Sequence, residues 1–226
     1  MAAATNYQPN AAVLQALQKV NLVAVVGPSG SGKTTLVNLA IRQDPDIHVV
    51  VSDVSRPKRP EEREGIDYFF RTRDEMLAAI ERREYVQIAP SNTGDIYATH
   101  IENYPTTGIA LMPVWAFAIP EFRKLPFGSM RTLFIVPESY ESWQVHLGLH
   151  NFTPEFRAKR LAEACASFEF AASDSQVELI INGDLTKATQ DFLHAIKRAP
   201  NEPMPDQTAA RAIVQDLLAK LKTETV

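Results

Sequence analysis

The chain has 226 residues, 45% of them hydrophobic and 22% charged, a composition that fits one core or one core with insertions. A net charge of −4 and a pI near 5.8 give no field that would gather nucleic acid, and no window reaches the roughly 20 apolar residues of a membrane span. The start of the chain lacks a basic segment followed by an apolar one, so the expectation is a cytoplasmic protein with neither a nucleic-acid nor a membrane partner, and the single cysteine, Cys165, excludes an intrachain disulfide.

Ala11–Leu17 has the pattern of a short helix. The apolar run Leu22–Val26 predicts a buried strand, and it leads directly into Gly27, Pro28, Ser29, Gly30, Ser31, Gly32, Lys33 and Thr34. These eight residues are a complete G-x-x-x-x-G-K-[ST] phosphate loop. Three glycines let the backbone turn tightly with its N–H groups inward, and Thr34, Thr35 and Leu36 then open a helix whose positive end faces the phosphates. On this logic the loop binds ATP, Lys33 reaches the β- and γ-phosphates, and Thr34 places its hydroxyl on Mg²⁺. A glycine-rich turn that binds nothing is the bland alternative.

Further strands are predicted at Ile47–Ser52, Gly108–Val114, Arg131–Val136 and Val177–Asn182, with helical patterns between several of them. That alternation predicts an α/β fold with a parallel sheet flanked by helices. Between Ser52 and His100 the chain becomes charged and turn-rich, the character of an inserted substrate subdomain. Arg56 and Arg59, with a nearby carboxylate and Tyr68, suit a second phosphate because guanidinium forks bind phosphate oxygens bidentately; a solvated charged loop is the alternative. Gly148–Pro154 is a turn-rich interruption, a hinge for a lid, before a helix over Glu155–Phe168 in which Cys165 packs as a small hydrophobe. After a linker over Pro200–Pro205, a last helix puts Ile213, Val214, Leu217, Leu218 and Leu221 on one face. That face packs on the protein's own body, against Val13, Leu14 and Leu17, or forms a homodimer through the terminal helices.

The ordered motifs resemble the guanylate kinase family. Val51, Ser52, Ser55, Arg56, Arg59, Glu62, Gly65, Asp67, Tyr68 and Phe70 match the signature that follows that family's second strand, and Tyr97-Ala98-Thr99 is similar to its Y-G-[ST]. Downstream, Phe134-Ile135-Val136-Pro137-Glu138-Ser139 is similar to F-I-x-P-P-S, Lys159-Arg160-Leu161 to K-R-L, and Ile180-Ile181-Asn182-Gly183-Asp184-Leu185 to I-x-N-x-D-L. The resemblance spans roughly Leu22 to Ile196. It implies a P-loop fold with an inserted nucleoside-monophosphate-binding subdomain and a small lid. It also implies that Ser52, Arg56, Arg59, Tyr68 and Tyr97 hold the phosphate of GMP, that Thr99 reads the guanine carbonyl, and that Glu62 and Gln87 complete the GMP set. Asn182 joins Gly27–Thr35 in the ATP set. The implied organisation is an extension over 1–20, a kinase-like domain over 21–199 (core 21–51 and 105–199, insert 52–104, lid about 144–160), and a linker with a helix over 200–226.

The sequence departs from the family at three places. Gln87 stands where the family has Glu, and an amide accepts only through its oxygen. Met112 and Val114 stand where it has two aspartates, leaving Asp53 or Asp95 to supply a carboxylate from another direction or to face solvent. His146 and His150 stand in the lid where it has arginines, leaving Arg160 and Arg157 as cations. The implied activity is phosphoryl transfer from MgATP to GMP, with Lys33, Arg160 and Arg56 as catalytic cations. The alternatives are a different nucleoside monophosphate as acceptor and a binding module that no longer catalyses.

Overall fold

The computed structural model describes residues 7–90, 94–148, 153–199 and 202–224. In chain order the elements are α1 (Ala11–Leu17), β1 (Asn21–Val26), α2 (Lys33–Gln43), β2 (Ile47–Val49), β3 (Asp53–Val54), β4 (Phe69–Phe70), α3 (Arg73–Glu81), β5 (Tyr85–Pro90) and β6 (Ile96–His100). They continue with β7 (Ile109–Pro113), α4 (Ile119–Phe122), β8 (Ser129–Pro137), α5 (Tyr140–Gly148), α6 (Pro154–Ser173), β9 (Val177–Asn182), α7 (Leu185–Lys197) and α8 (Thr208–Glu224). The strands form a parallel five-stranded sheet in the order β2-β7-β1-β8-β9 and a second sheet in the order β4-β3-β6-β5. This is the expected α/β class. The apolar runs of β1 and β8 are buried along almost their whole length, as parallel strands covered on both faces must be.

The chain divides into two compact units, one built from segments within 1–22, 46–112 and 120–130, the other from 23–45, 113–119 and 131–226. In the first, β5 and β6 pair antiparallel, with an irregularity between Tyr85 and Gln87, and β6 pairs with β3 so that Asp53 lies opposite Ala98 and Val54 opposite Tyr97. Alternation then sorts the two faces. Tyr85, Ile88, Ile96 and Ala98 pack with Met76 and Ala79 of α3 into a small core. Gln87, Tyr97 and Thr99 point to the other side. A capping box between Thr72 and Glu75 starts α3.

The expected strand Ile47–Ser52 divides: β2 ends at Val49, and the chain passes through Val50, whose N–H donates to Leu111 O, into β3 of the second sheet. The run Val49-Val50-Val51 hides this because an apolar stretch looks alike in either sheet. β8 extends beyond its expected bounds at both ends.

In the second unit, Val214, Leu217, Leu218 and Leu221 of α8 are buried, and α8 packs on α6, β9 and α5. Ile213 is only half-buried. The apolar stripe is therefore used within its own unit, as the expected packing on the protein's own body requires, with α6, β9 and α5 as its partners. Cys165 is half-buried in α6, with its thiol pushed up by burial. No helix among the described residues is long and apolar enough to cross a membrane. The linker residues Pro200 and Asn201 lie outside the described residues.

Leu217 is fully buried, so Leu217→Ala should cost about 2–5 kcal/mol in denaturant unfolding; a loss below about 0.5 kcal/mol, the range of substitutions at exposed positions, would contradict this packing.

Candidate active site

In the second unit, the chain turns from β1 into α2 through Gly27–Gly32. Gly30 and Gly32 have φ of +79° and +89°, which other residues adopt only at a cost, and a side chain at Gly32 would run into the Asn182 amide. The N-terminus of α2 has no side-chain cap and no acidic residue in its first turn. Its first N–H groups therefore stay open to an anion.

The carbonyls of the loop are turned onto donors. Lys33 Nζ donates to Gly27 O at 2.6 Å and Pro28 O at 2.9 Å, Trp143 Nε1 donates to Ser29 O at 2.8 Å, and Asn182 Nδ2 donates to Ser31 O at 2.8 Å. A cavity of about 610 Å³ opens here, of the size that takes small ligands. Ser29–Thr35, including Thr34 and Thr35, line it, as do Glu138, Ser142, His146, Asn182, Gly183 and Leu185. Burial, with the nearby Arg160 guanidinium adding to it, pushes the Lys33 ammonium down to about 8. Arg160 donates to Glu163 at 2.7 Å and stacks over the Phe156 ring, while its Nε is buried without a hydrogen-bond partner. Arg157 is exposed and donates to Gln144.

The first unit holds the second group of candidate residues on the polar face of its small sheet. Arg56 donates from Nη1 and Nη2 to both oxygens of Glu62, at 2.7 and 2.5 Å, from Nη1 to Pro57 O at 3.1 Å, and from Nε to the Tyr97 hydroxyl at 3.2 Å. Its guanidinium also lies over the rings of Tyr68 and Phe70. Four of its five N–H donors are thus engaged, and one remains. Glu62 acts here by orienting Arg56. It reaches Arg59 only through the backbone N–H at 2.9 Å, and the Arg59 side chain is exposed.

Beside this cluster, Ser52 Oγ and Thr99 Oγ1 lie 3.1 Å apart, and Gln87 Nε2 donates to Thr99 Oγ1 at 3.1 Å. Gln87 and Thr99 are direct cross-strand partners, which explains the contact. Thr99 is fully buried, and its hydroxyl is engaged by Ser52 and Gln87.

Asp53 does not supply the missing carboxylate, and it does not face solvent. It is 3% exposed and its register places it on the opposite face from Tyr97 and Thr99. There it accepts from Asn103 at 3.1 Å and bonds Tyr85, and burial raises its pKa. Asp95 is half-buried. Met112 is buried, with its sulfur accepting from the Tyr104 hydroxyl at 3.6 Å. His146 lines the cavity of the second unit, whereas His150 and the middle of the expected lid, 149–152, lie outside the described residues.

A family model described as guanylate kinase matches residues 19–198. The chain belongs to the guanylate kinase family. It is 32% identical over 174 residues to a guanylate kinase of Hyphomonas neptunium, covering 75% of this chain and 79% of that one. It is 33% identical over 186 residues to a guanylate kinase of Cupriavidus metallidurans, covering 78% and 84%. The crystal structure of guanylate kinase from Anaplasma phagocytophilum shares the fold, with a TM-score of 0.59 at 21% identity over 82% of this chain and 88% of that one.

Within that family the geometry adds a residue that motif reading passes over. Trp143 is fully buried 114 positions from the Ser29 carbonyl it holds. No local spacing marks it, although a buried indole N–H usually finds an acceptor.

The Arg56 pair holds the Glu62 carboxyl at about 2, well below its ordinary value. Because the folded value lies below the unfolded one, the stabilisation is complete above the ordinary carboxylate range and is lost as pH falls through about 2. A carbon-detected titration should give Glu62 a midpoint near 2, rising in Arg56→Gln; an ordinary midpoint in the unsubstituted protein would refute the pairing.

Proposed function

We propose that the protein transfers the γ-phosphoryl group of MgATP to GMP, giving ADP and GDP. ATP takes the phosphate loop and GMP takes the Arg56–Tyr97 face. The observation that carries this reading is a phosphate loop whose carbonyls are all but turned away, in a chain that also holds an arginine with one N–H to spare between two tyrosines.

Chemistry at these groups is positioning and charge neutralisation. The GMP phosphate is already an oxyanion, so no general base is needed. The N–H groups at the start of α2, from Gly32 to Thr34, and the Lys33 ammonium hold the donor phosphates. Lys33, pushed down to about 8 in the free protein, gains a stabilising anion on binding and is fully charged at neutral pH. Arg160, with an unpartnered Nε close enough to act on Lys33, meets the charge that spreads over the transferring group.

On the acceptor side, Arg56, Arg59, Tyr68 and Tyr97 hold the GMP phosphate with Ser52. Gln87 spends an N–H on Thr99 and keeps its carbonyl oxygen to accept from guanine N1 or N2. Glu62 is the positioning residue for Arg56. The structure suits a Mg²⁺ that arrives with its nucleotide: Thr34 is exposed to the cavity, and no group of three metal-ligating side chains that could hold the ion alone occurs among the described residues. When bound, the ion neutralises charge on the β- and γ-phosphates. The domain limits follow the same reading, with 52–104 as the GMP insert and about 144–160 as the lid. The cytoplasm, where both nucleotides are found, is the setting.

ADP release should be measured with MgATP and GMP, AMP, UMP or CMP in turn. GMP should be the preferred acceptor, Lys33→Ala should abolish turnover, and Arg160→Ala should lower it about 10³-fold with ATP binding kept. Equal use of all four acceptors would move the substrate to nucleoside monophosphates in general, and ATP binding without turnover would make the chain a binding module.

A further inference from the structure

Glu138 is the one acidic side chain among the described residues that line the phosphate-loop cavity. It follows the last residue of β8, at the place where the similar motif has a second proline. Its carboxylate lies against Gly183, just beyond β9, where any side chain would run into Oε2. It makes no hydrogen bond or ion pair with another described residue.

Glu138 is exposed, so water satisfies its carboxylate in the free protein; a ligand that covers it must bring a donor in water's place, the more so because the carboxylate repels a polyphosphate in the same cavity. The phosphates take the N–H groups at the start of α2, leaving the lining around Pro137, Glu138, Gly183 and Leu185 to the nucleoside. Leu185 is 45% exposed and offers an apolar surface that suits the flat face of a base better than ribose. Adenine presents an amino group on its outer edge, where hypoxanthine and guanine present a carbonyl oxygen that a carboxylate rejects.

We propose that Glu138 is a specificity-determining residue for the phosphoryl donor: its carboxylate accepts an N–H from the 6-amino group of adenine, with the base lying against Leu185. This rests on the reading of ATP as the donor nucleotide. It gives the chain a base contact at the donor site that does not depend on the acceptor residues.

The test compares kcat/KM for ATP, ITP and 2′-deoxyATP at saturating GMP, in the unsubstituted protein, Glu138→Gln and Glu138→Pro, with ATP and ITP binding measured by calorimetry without GMP. The unsubstituted protein should favour ATP over ITP by about tenfold or more, mainly through KM, and should use 2′-deoxyATP nearly as well as ATP. Glu138→Pro should bring the ATP-to-ITP ratio toward one. Glu138→Gln, whose amide can also donate to the 6-oxo group, should improve ITP. An ATP-to-ITP ratio unchanged in Glu138→Pro would overturn the proposal, as would a Glu138-dependent loss confined to 2′-deoxyATP, which would move the contact to ribose. If no donor supports turnover, the kinase reading fails instead, and the calorimetric ratio still decides the role of Glu138.

Discussion

Everything in the second unit depends on where the backbone carbonyls of the phosphate loop point. A short loop carries as many carbonyl oxygens as N–H groups, and oxygens facing a polyphosphate would cancel the attraction of the N–H groups. Here Gly27, Pro28, Ser29 and Ser31 have their carbonyls held by Lys33, Trp143 and Asn182. The uncapped first turn of α2 then adds to the field instead of competing with it. The clamp joins α5, which bears Trp143 and the cavity-lining His146, to the loop.

The first unit instead fixes a cation by pairing it with its own acid. Glu62 takes both arms of Arg56, and with Pro57 O and the Tyr97 hydroxyl also bonded a single N–H is left on a guanidinium that lies over Tyr68 and Phe70. A bidentate carboxylate limits how much of an arginine any anion can claim, and it fixes the direction the remaining donor faces. Met112 and Asp53 are both committed to neighbours within this unit. The first is packed against Tyr104 and the second is committed to Asn103 and Tyr85 on the other face of the sheet. Gln87 is left as the candidate reader, already oriented by Thr99.

The phosphate loop and its strand-loop-helix setting were legible because the residues are contiguous and their chemistry is fixed by spacing. Lys33, Thr34 and Asn182 are gathered in one unit, and Ser52, Arg56, Tyr68, Gln87, Tyr97 and Thr99 on one sheet face in the other. The break after Val49 was not legible, since an apolar run carries no mark of the sheet it joins. The face of Asp53 could be read only once its register with Ala98 was known. Trp143 escaped because its partner is distant in sequence, and Glu138 because a lone acidic residue gains meaning only beside the cavity it lines.

The central claim is that neighbours hold the phosphate loop in its binding shape before any nucleotide arrives. Trp143→Phe tests it most directly, because the ring is retained and only the N–H to Ser29 O is lost. ADP affinity measured by calorimetry should fall about tenfold, the cost of one unpaired buried carbonyl. Unchanged ADP affinity in that variant would contradict the claim and leave the loop shaped by its glycines alone.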